Sequence, residues 1–164
     1  MTKAEGPKFR VAFRRRREGI TNYEKRLALI KSGKVRLVVR RTNQHVLVQF
    51  IEFHSAGDKV LFGFMSKKLQ KLFNFPAKRN VWTAYLAGLY SGKEALKKGV
   101  KSFVLDNGRY TNNKGNLVFA VLKGVADAGI ETELPEDKIP SDKISSPPES
   151  IAKAFEDVKK KIAG

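Results

Sequence analysis

Cysteine is absent from the 164-residue chain, and histidine is confined to His45 and His54. Disulfides and thiolate metal sites are therefore excluded, and only these two imidazoles could serve a metal, which fits a reducing compartment. Acidic residues are scarce, with 16 Asp or Glu against 33 Lys or Arg. No apolar run approaches the length of a bilayer-spanning helix, and no apolar segment with a small-residue cleavage site opens the chain. Neither a membrane span nor a secretory signal is expected.

What is present is positive charge. The formal net charge is +17, a field that draws polyanions at physiological salt. Residues 1–50 hold 14 Lys or Arg against Glu5, Glu18 and Glu24, so +11 of it sits in the first third. With 41% hydrophobic residues the remainder can bury a real core, and the length suits one main domain with appendages.

The stretch from Val35 to Phe50, VRLVVRRTNQHVLVQF, reads as a β-hairpin with Asn43 and Gln44 at the turn. Thr42 then faces His45, Arg40 faces Leu47, Val38 faces Gln49 and Arg36 faces Ile51. Val35, Leu37, Val39, Val46, Val48 and Phe50 form a core face. Arg36, Arg40, Thr42, His45 and Gln49 share the other face with Val38, Leu47 and Ile51. That second face suits phosphate and ribose contacts, or is an ordinary solvated sheet surface.

Before the hairpin, KFRVAFRRRREGI interleaves Phe9, Val11 and Phe13 with Arg10 and the block Arg14, Arg15, Arg16 and Arg17. No period persists there, so an irregular arm ordered by a phosphate backbone is expected, with a localisation signal or a solvated tail as alternatives. Thr21 and Glu24 have capping-box spacing for a helix that runs to Gly33 with Tyr23, Leu27 and Ile30 on one face. Val60 to Met65 adds a third strand, and Ser66 to Phe75 is a short basic helix ended by Pro76.

A long helix runs from Asn80 to near Gly99, laid on the sheet, with Gly88 and Gly92 suggesting close packing on strands. Gly88 to Lys93 lacks one residue of a phosphate-binding loop and lies mid-helix, so that motif is rejected. Ser102 to Leu105 is a short strand, Asp106 to Gly115 a polar loop, and Leu117 to Gly129 a second helix; Ile130 to Leu134 is a candidate last strand. Residues 131–149 carry six acidic residues, two basic and four prolines, and an amphipathic helix with Ile151, Ala154, Phe155, Val158 and Ile162 in register follows. The fold class is α/β, one mixed sheet of about five strands in which an antiparallel meander precedes parallel βα units.

Four segments, GPKFRVAFRRRREG, NYEKRLALIKSGKVRLVVRRTNQHVLVQF, AYLAGLYSG and NKGNLVFAVLKGVADAGIE, together resemble the L-eighteen family of large-subunit ribosomal proteins in its archaeal form, which is similar to the eukaryotic L-five. The resemblance implies a ribonuclease H-like fold without catalysis or cofactor. It implies a binder of 5S rRNA that helps attach it to 23S rRNA at the central protuberance of the cytoplasmic ribosome. Implied neighbours are the L-five-type 5S binder and an L-twenty-one-e-type protein. The arm arginines Arg10, Arg14, Arg15, Arg16 and Arg17, and the hairpin residues Arg40, Arg41, Asn43 and His45, stand where the family contacts RNA. Lys8, Arg26, Arg36, Thr42, Gln49, Arg109 and Lys114 complete the candidate RNA-binding set. Asn107 and Tyr110 depart from the family, which often has an apolar residue and a histidine there.

The expected division is a basic RNA-binding arm over 1–20, an α/β 5S rRNA-binding domain over 21–134, and an acidic, Pro-rich linker with an amphipathic C-terminal helix over 135–164. Two rival readings stand beside this one. A metal-dependent nuclease could place Glu52, Asp58 and Asp106 near a strand edge, although Asp58 and Asp106 also have turn roles. A DNA-compacting protein explains the charge but not the patterned core.

Overall fold

Val35 to Glu52 folds as the alternation predicts, in a computed structural model that describes residues 6–132 and 135–163. Strand β1 (Val35–Arg41) pairs antiparallel with β2 (Val46–Glu52), with Arg36 opposite Ile51, Val38 opposite Gln49 and Arg40 opposite Leu47. The Thr42 amide donates to the His45 carbonyl at 2.8 Å and closes the turn. Strand β3 (Lys59–Met65) adds to β2 through a bulge at Phe50 and Ile51. Strand β4 (Phe103–Asp106) lies parallel to β1, which gives the order β3-β2-β1-β4.

Four strands, not five, are formed among the described residues. In the segment expected as a final strand, Glu131 makes one isolated parallel bridge to Ser102; Glu133 and Leu134 lie outside the described residues. The stretch starts from Gly129 at φ 103° and meets Pro135, which has no N–H to donate, so little room is left for a ladder.

The helices are α1 (Arg14–Arg17), α2 (Tyr23–Lys31), α3 (Lys67–Phe73), α4 (Val81–Lys97), α5 (Leu117–Asp127), α6 (Ser141–Ser145) and α7 (Glu149–Ala163). Helix α1 corrects the expectation of an arm without helical structure: one turn forms over Arg14, Arg15, Arg16 and Arg17, and Gly19 at φ 63° follows it. Arg16 is central to that turn, its amide donating to the Phe13 carbonyl at 2.9 Å and its carbonyl accepting from the Gly19 amide at 3.0 Å. The cap of α2 is Asn22, whose Oδ1 accepts from the Lys25 amide at 3.0 Å, and not Thr21. Thr21 is engaged elsewhere, accepting from Arg15 Nε at 2.9 Å. Asn80 and Asn116 cap α4 and α5 in the same way, satisfying N–H groups left over at a helix start. Asn74, left-handed at φ 52°, ends α3 two residues before Pro76.

Leu37, Val39, Val46, Val48, Phe50 and Phe64 from one sheet face form a core with α4 and α5. The glycines of α4 pack on a helix rather than on strands. A Cβ at Gly88 would run into the Val121 carbonyl oxygen, and one at Gly124 into both the Tyr85 carbonyl oxygen and, at 2.8 Å, the Leu89 nitrogen. Backbone therefore touches backbone where α4 and α5 cross. Gly124→Ala must push the helices apart, and a loss of about 1–3 kcal/mol is expected, as for other overpacked cores. It is read as a lower urea midpoint at unchanged slope.

The C-terminal segment covers the rest of α4. Phe155, Val158 and Ile162 of α7 are buried, and the Phe155 ring lies 5.9 Å from Tyr85. Trp82 Nε1 donates to the Lys143 carbonyl at 2.7 Å, which ties α6 down. The acidic stretch thus leads into elements that complete the core.

Candidate nucleic-acid interface

Three segments distant in sequence meet beside β1 and β4: the arm, the hairpin turn and the loop after β4. The Arg109 guanidinium lies so near Gly19 that a Cβ there would come within 2.9 Å of it. Arg40 reaches the same loop, with Nη1 donating to the Asp106 carbonyl at 2.8 Å and Nη2 to its carboxylate at 3.1 Å. Tyr110 braces the hairpin: its hydroxyl accepts from the Arg41 amide at 3.3 Å and donates to the Arg41 carbonyl at 3.2 Å. The Arg41 guanidinium sits 4.4 Å over the same ring, a cation–π contact that fixes its direction.

Lys8, Arg10, Arg14, Arg15, Arg16 and Arg17 are all exposed, as are Arg26, Arg41, Thr42, Asn43, Arg109 and Lys114. Arm, turn and loop make one broad cationic side. The four arginines of α1 are not equivalent on it. Arg15 is held by Thr21, whereas Arg16 borders a separate shallow hollow with Gly19, Thr21, Glu24 and Arg109. Arg16 thus joins the arm to the β4 loop but does not line the larger cleft beside α2 that Arg15 enters. His45 and Gln49 are half-buried; Thr42 Oγ1 accepts from the His45 amide at 2.9 Å, so this pair also shapes the turn.

Arg36 corrects the reading of the outer sheet face as solvated. It is only 3% exposed, with Nη2 2.7 Å from Asp58 and Nη1 3.6 Å from Asp106. Arg26 also binds Asp58, at 3.1 Å, and Arg40 shares Asp106. Three guanidinium groups thus surround two carboxylates, and Arg36 is almost fully buried among them. The same contacts occupy the carboxylates that a nuclease would need: Asp58 and Asp106 hold arginines, and Glu52 lies 3.3 Å from His54. Among the described residues no group of three or more His, Asp or Glu is placed to hold a metal.

Sequence reasoning missed Arg79 and Lys25. Arg79 Nη1 donates to the Thr42 carbonyl at 3.4 Å, and Lys25 Nζ to Asn107 Oδ1 at 3.5 Å. No local pattern marks either, because their partners are 37 and 82 residues away.

Two larger clefts border this side. One, of about 870 Å³, runs along the free edge of β4 and mixes Lys25, Lys34 and Lys138 with Glu131. The other, of about 630 Å³, lies between arm, α2 and the β4 loop, and collects five arginines.

Residues 7–102 match a family profile described as ribosomal large subunit proteins 60S L5 and 50S L18. Proteins named large ribosomal subunit protein uL18 are similar over most of the chain. The one from Korarchaeum cryptofilum is 47% identical over 87% of this chain and 76% of its own length. That from Aeropyrum pernix is 46% identical over 84% of this chain and 64% of its own. That from Methanothermobacter thermautotrophicus is 44% identical over 85% and 72%.

Proposed function

This chain belongs to the ribosomal large-subunit protein family of 60S L5 and 50S L18, and on that premise we propose that it binds 5S rRNA and helps attach it to 23S rRNA. As a family member it is a structural constituent of the large subunit of the cytoplasmic ribosome and not an enzyme. The observation that carries the RNA reading is the single cationic side on which the Arg14–Arg17 turn, the Tyr110-braced Arg41 and Arg109 come together. Guanidinium groups pair with phosphate oxygens bidentately, and a braced turn can present side chains to unpaired bases.

In this reading the arm over 1–20 is the phosphate-binding segment, with Arg10, Arg14, Arg16 and Arg17 turned to solvent for that purpose. The body over 21–134 binds RNA, and 135–164 is a brace on α4. The sheet is taken as ribonuclease H-like on the ground that a meander precedes a strand parallel to β1. The same position in the subunit would set it against the L-five-type and L-twenty-one-e-type proteins.

The test is to equilibrate the full chain with 5S rRNA and with a random RNA of equal length. Tight, salt-sensitive preference for 5S is expected; equal binding would remove the 5S assignment. Arg41→Ala with Asn43→Ala is expected to lower the 5S-to-random ratio by about tenfold while changing the salt slope by about one contact. Arg40 is left out of this pair because Asp106 holds it.

A further inference from the structure

The 630 Å³ cleft has a composition that a backbone clamp does not require. Its cationic lining is Arg15, Lys25, Arg26, Arg36, Arg40 and Arg109, against the carboxylate of Asp106. Arg26, Arg36 and Arg40 are engaged with Asp58 and Asp106, so one positive charge remains over from that network. Arg15, Lys25 and Arg109 stand at the rim and make no ion pair among the described residues. The same cleft has an apolar part, lined by Ile20, Ala28, Leu29 and Leu105. Ile20 is 48% exposed, so this part is wetted until something covers it.

A bare phosphate would use the rim and leave the apolar part wet, whereas an apolar side chain would strand the rim charges. A group with an anion at one end and a flat, weakly hydrated face at the other uses both. A nucleotide has that chemistry, and the cleft lies in the size range of small-ligand sites, about 300–1,000 Å³. We propose that this cleft receives a single unstacked nucleotide of the bound RNA, with its phosphate among Arg15, Lys25 and Arg109 and its base against Ile20, Leu29 and Leu105. The inference rests on the RNA-binding reading above and adds to it a discrete site for one splayed-out residue. It also gives Arg15 a defined place: Thr21 holds its Nε, which orients the guanidinium at the rim.

The discriminating variant is Ala28→Trp, which fills the cleft without altering any charge; Ala28 is exposed on α2, so the fold should tolerate it. Three probes are titrated into the full chain and followed by amide NMR shifts: adenosine monophosphate, adenosine and inorganic phosphate. Adenosine monophosphate is expected to shift Asn22, Gly108 and Arg109, with the other two binding at least about tenfold more weakly. In parallel, 5S rRNA carrying 2-aminopurine at single unpaired positions is expected to show one position whose fluorescence changes with the wild-type chain only. Ala28→Trp should abolish the mononucleotide shifts and weaken RNA binding by roughly tenfold, the order expected from losing the burial of one base face on aliphatic side chains, at unchanged salt slope.

Unaltered RNA affinity in Ala28→Trp would overturn the proposal. If that variant still lost the mononucleotide shifts, the cleft would be a site for free nucleotides instead. Failure of the unaltered chain to bind 5S rRNA at all would overturn the underlying reading, a result distinguishable from either.

Discussion

Removing residues 1–18 should leave the thermal midpoint within a few degrees of the full chain and weaken RNA binding by several orders of magnitude. The first half follows from burial. Every described residue from Gly6 to Glu18 is exposed, with Phe13 at 79%, so their loss removes no core contact. The losses to the body are the Arg15 side-chain bond to Thr21, the backbone bonds from the Gly19, Ile20 and Thr21 amides to the Arg16 and Arg15 carbonyls, and a 6.4 Å contact between the Phe13 and Tyr23 rings, none of them in the core. The second half follows from charge. Arg10, Arg14, Arg15, Arg16 and Arg17 leave together, and each phosphate contact contributes a log-log salt slope of about 0.7 to 0.9. The slope should become shallower by about 4. Thermal unfolding and RNA titration at several salt concentrations measure both quantities. A truncated chain that fails to fold, or one whose slope is unchanged, would refute this division between arm and body.

The register of the hairpin was legible because two alternating runs and a two-residue turn admit few pairings, and a one-residue slip would have exposed Leu37, Val39 and Phe50. Helices α4 and α5 were legible from their apolar period. Which partner each face meets was not. Tyr23 and Leu27 share a helix face as expected, yet they are 40% and 54% exposed, because periodicity says what could be buried and not what lies opposite. Gly88 signalled a close approach but not that α5 makes it.

The candidate interface was half legible for the same reason. Adjacent arginines in the arm announce themselves, but not that Arg15 and Arg16, neighbours in the chain, border different hollows. The fate of Arg40 depends on Asp106, 66 residues on. Asp106 keeps its expected turn role, accepting from the Gly108 amide at 2.9 Å, while its carboxylate also holds arginines. A side chain serving two elements cannot be read from the pattern of either.

That network supports the second large effect. Replacing Asp58 and Asp106 together with Ala should destabilise the chain by about 3–5 kcal/mol, the usual consequence of leaving one member of a buried charge pair alone. Arg36 is the member left alone. At 3% exposure its guanidinium cannot regain water, and its Nε has no hydrogen-bond partner to compensate. For a domain of this length the loss corresponds to roughly 6–20 °C in Tm. Arg36→Met should behave differently. It removes the buried cation and keeps an aliphatic stem, while Asp58 retains Arg26 at 3.1 Å and Asp106 retains Arg40 at 3.1 Å. Its expected loss is within about 1–2 kcal/mol. Adding Arg36→Met to the double-alanine chain should then restore much of what the two substitutions removed, since the uncompensated charge would be gone. Urea unfolding of the four chains forms a cycle that isolates the coupling. If Arg36→Met alone costs as much as both carboxylates, packing of the Arg36 stem and not charge compensation holds β1, β4 and the turn after β2 together.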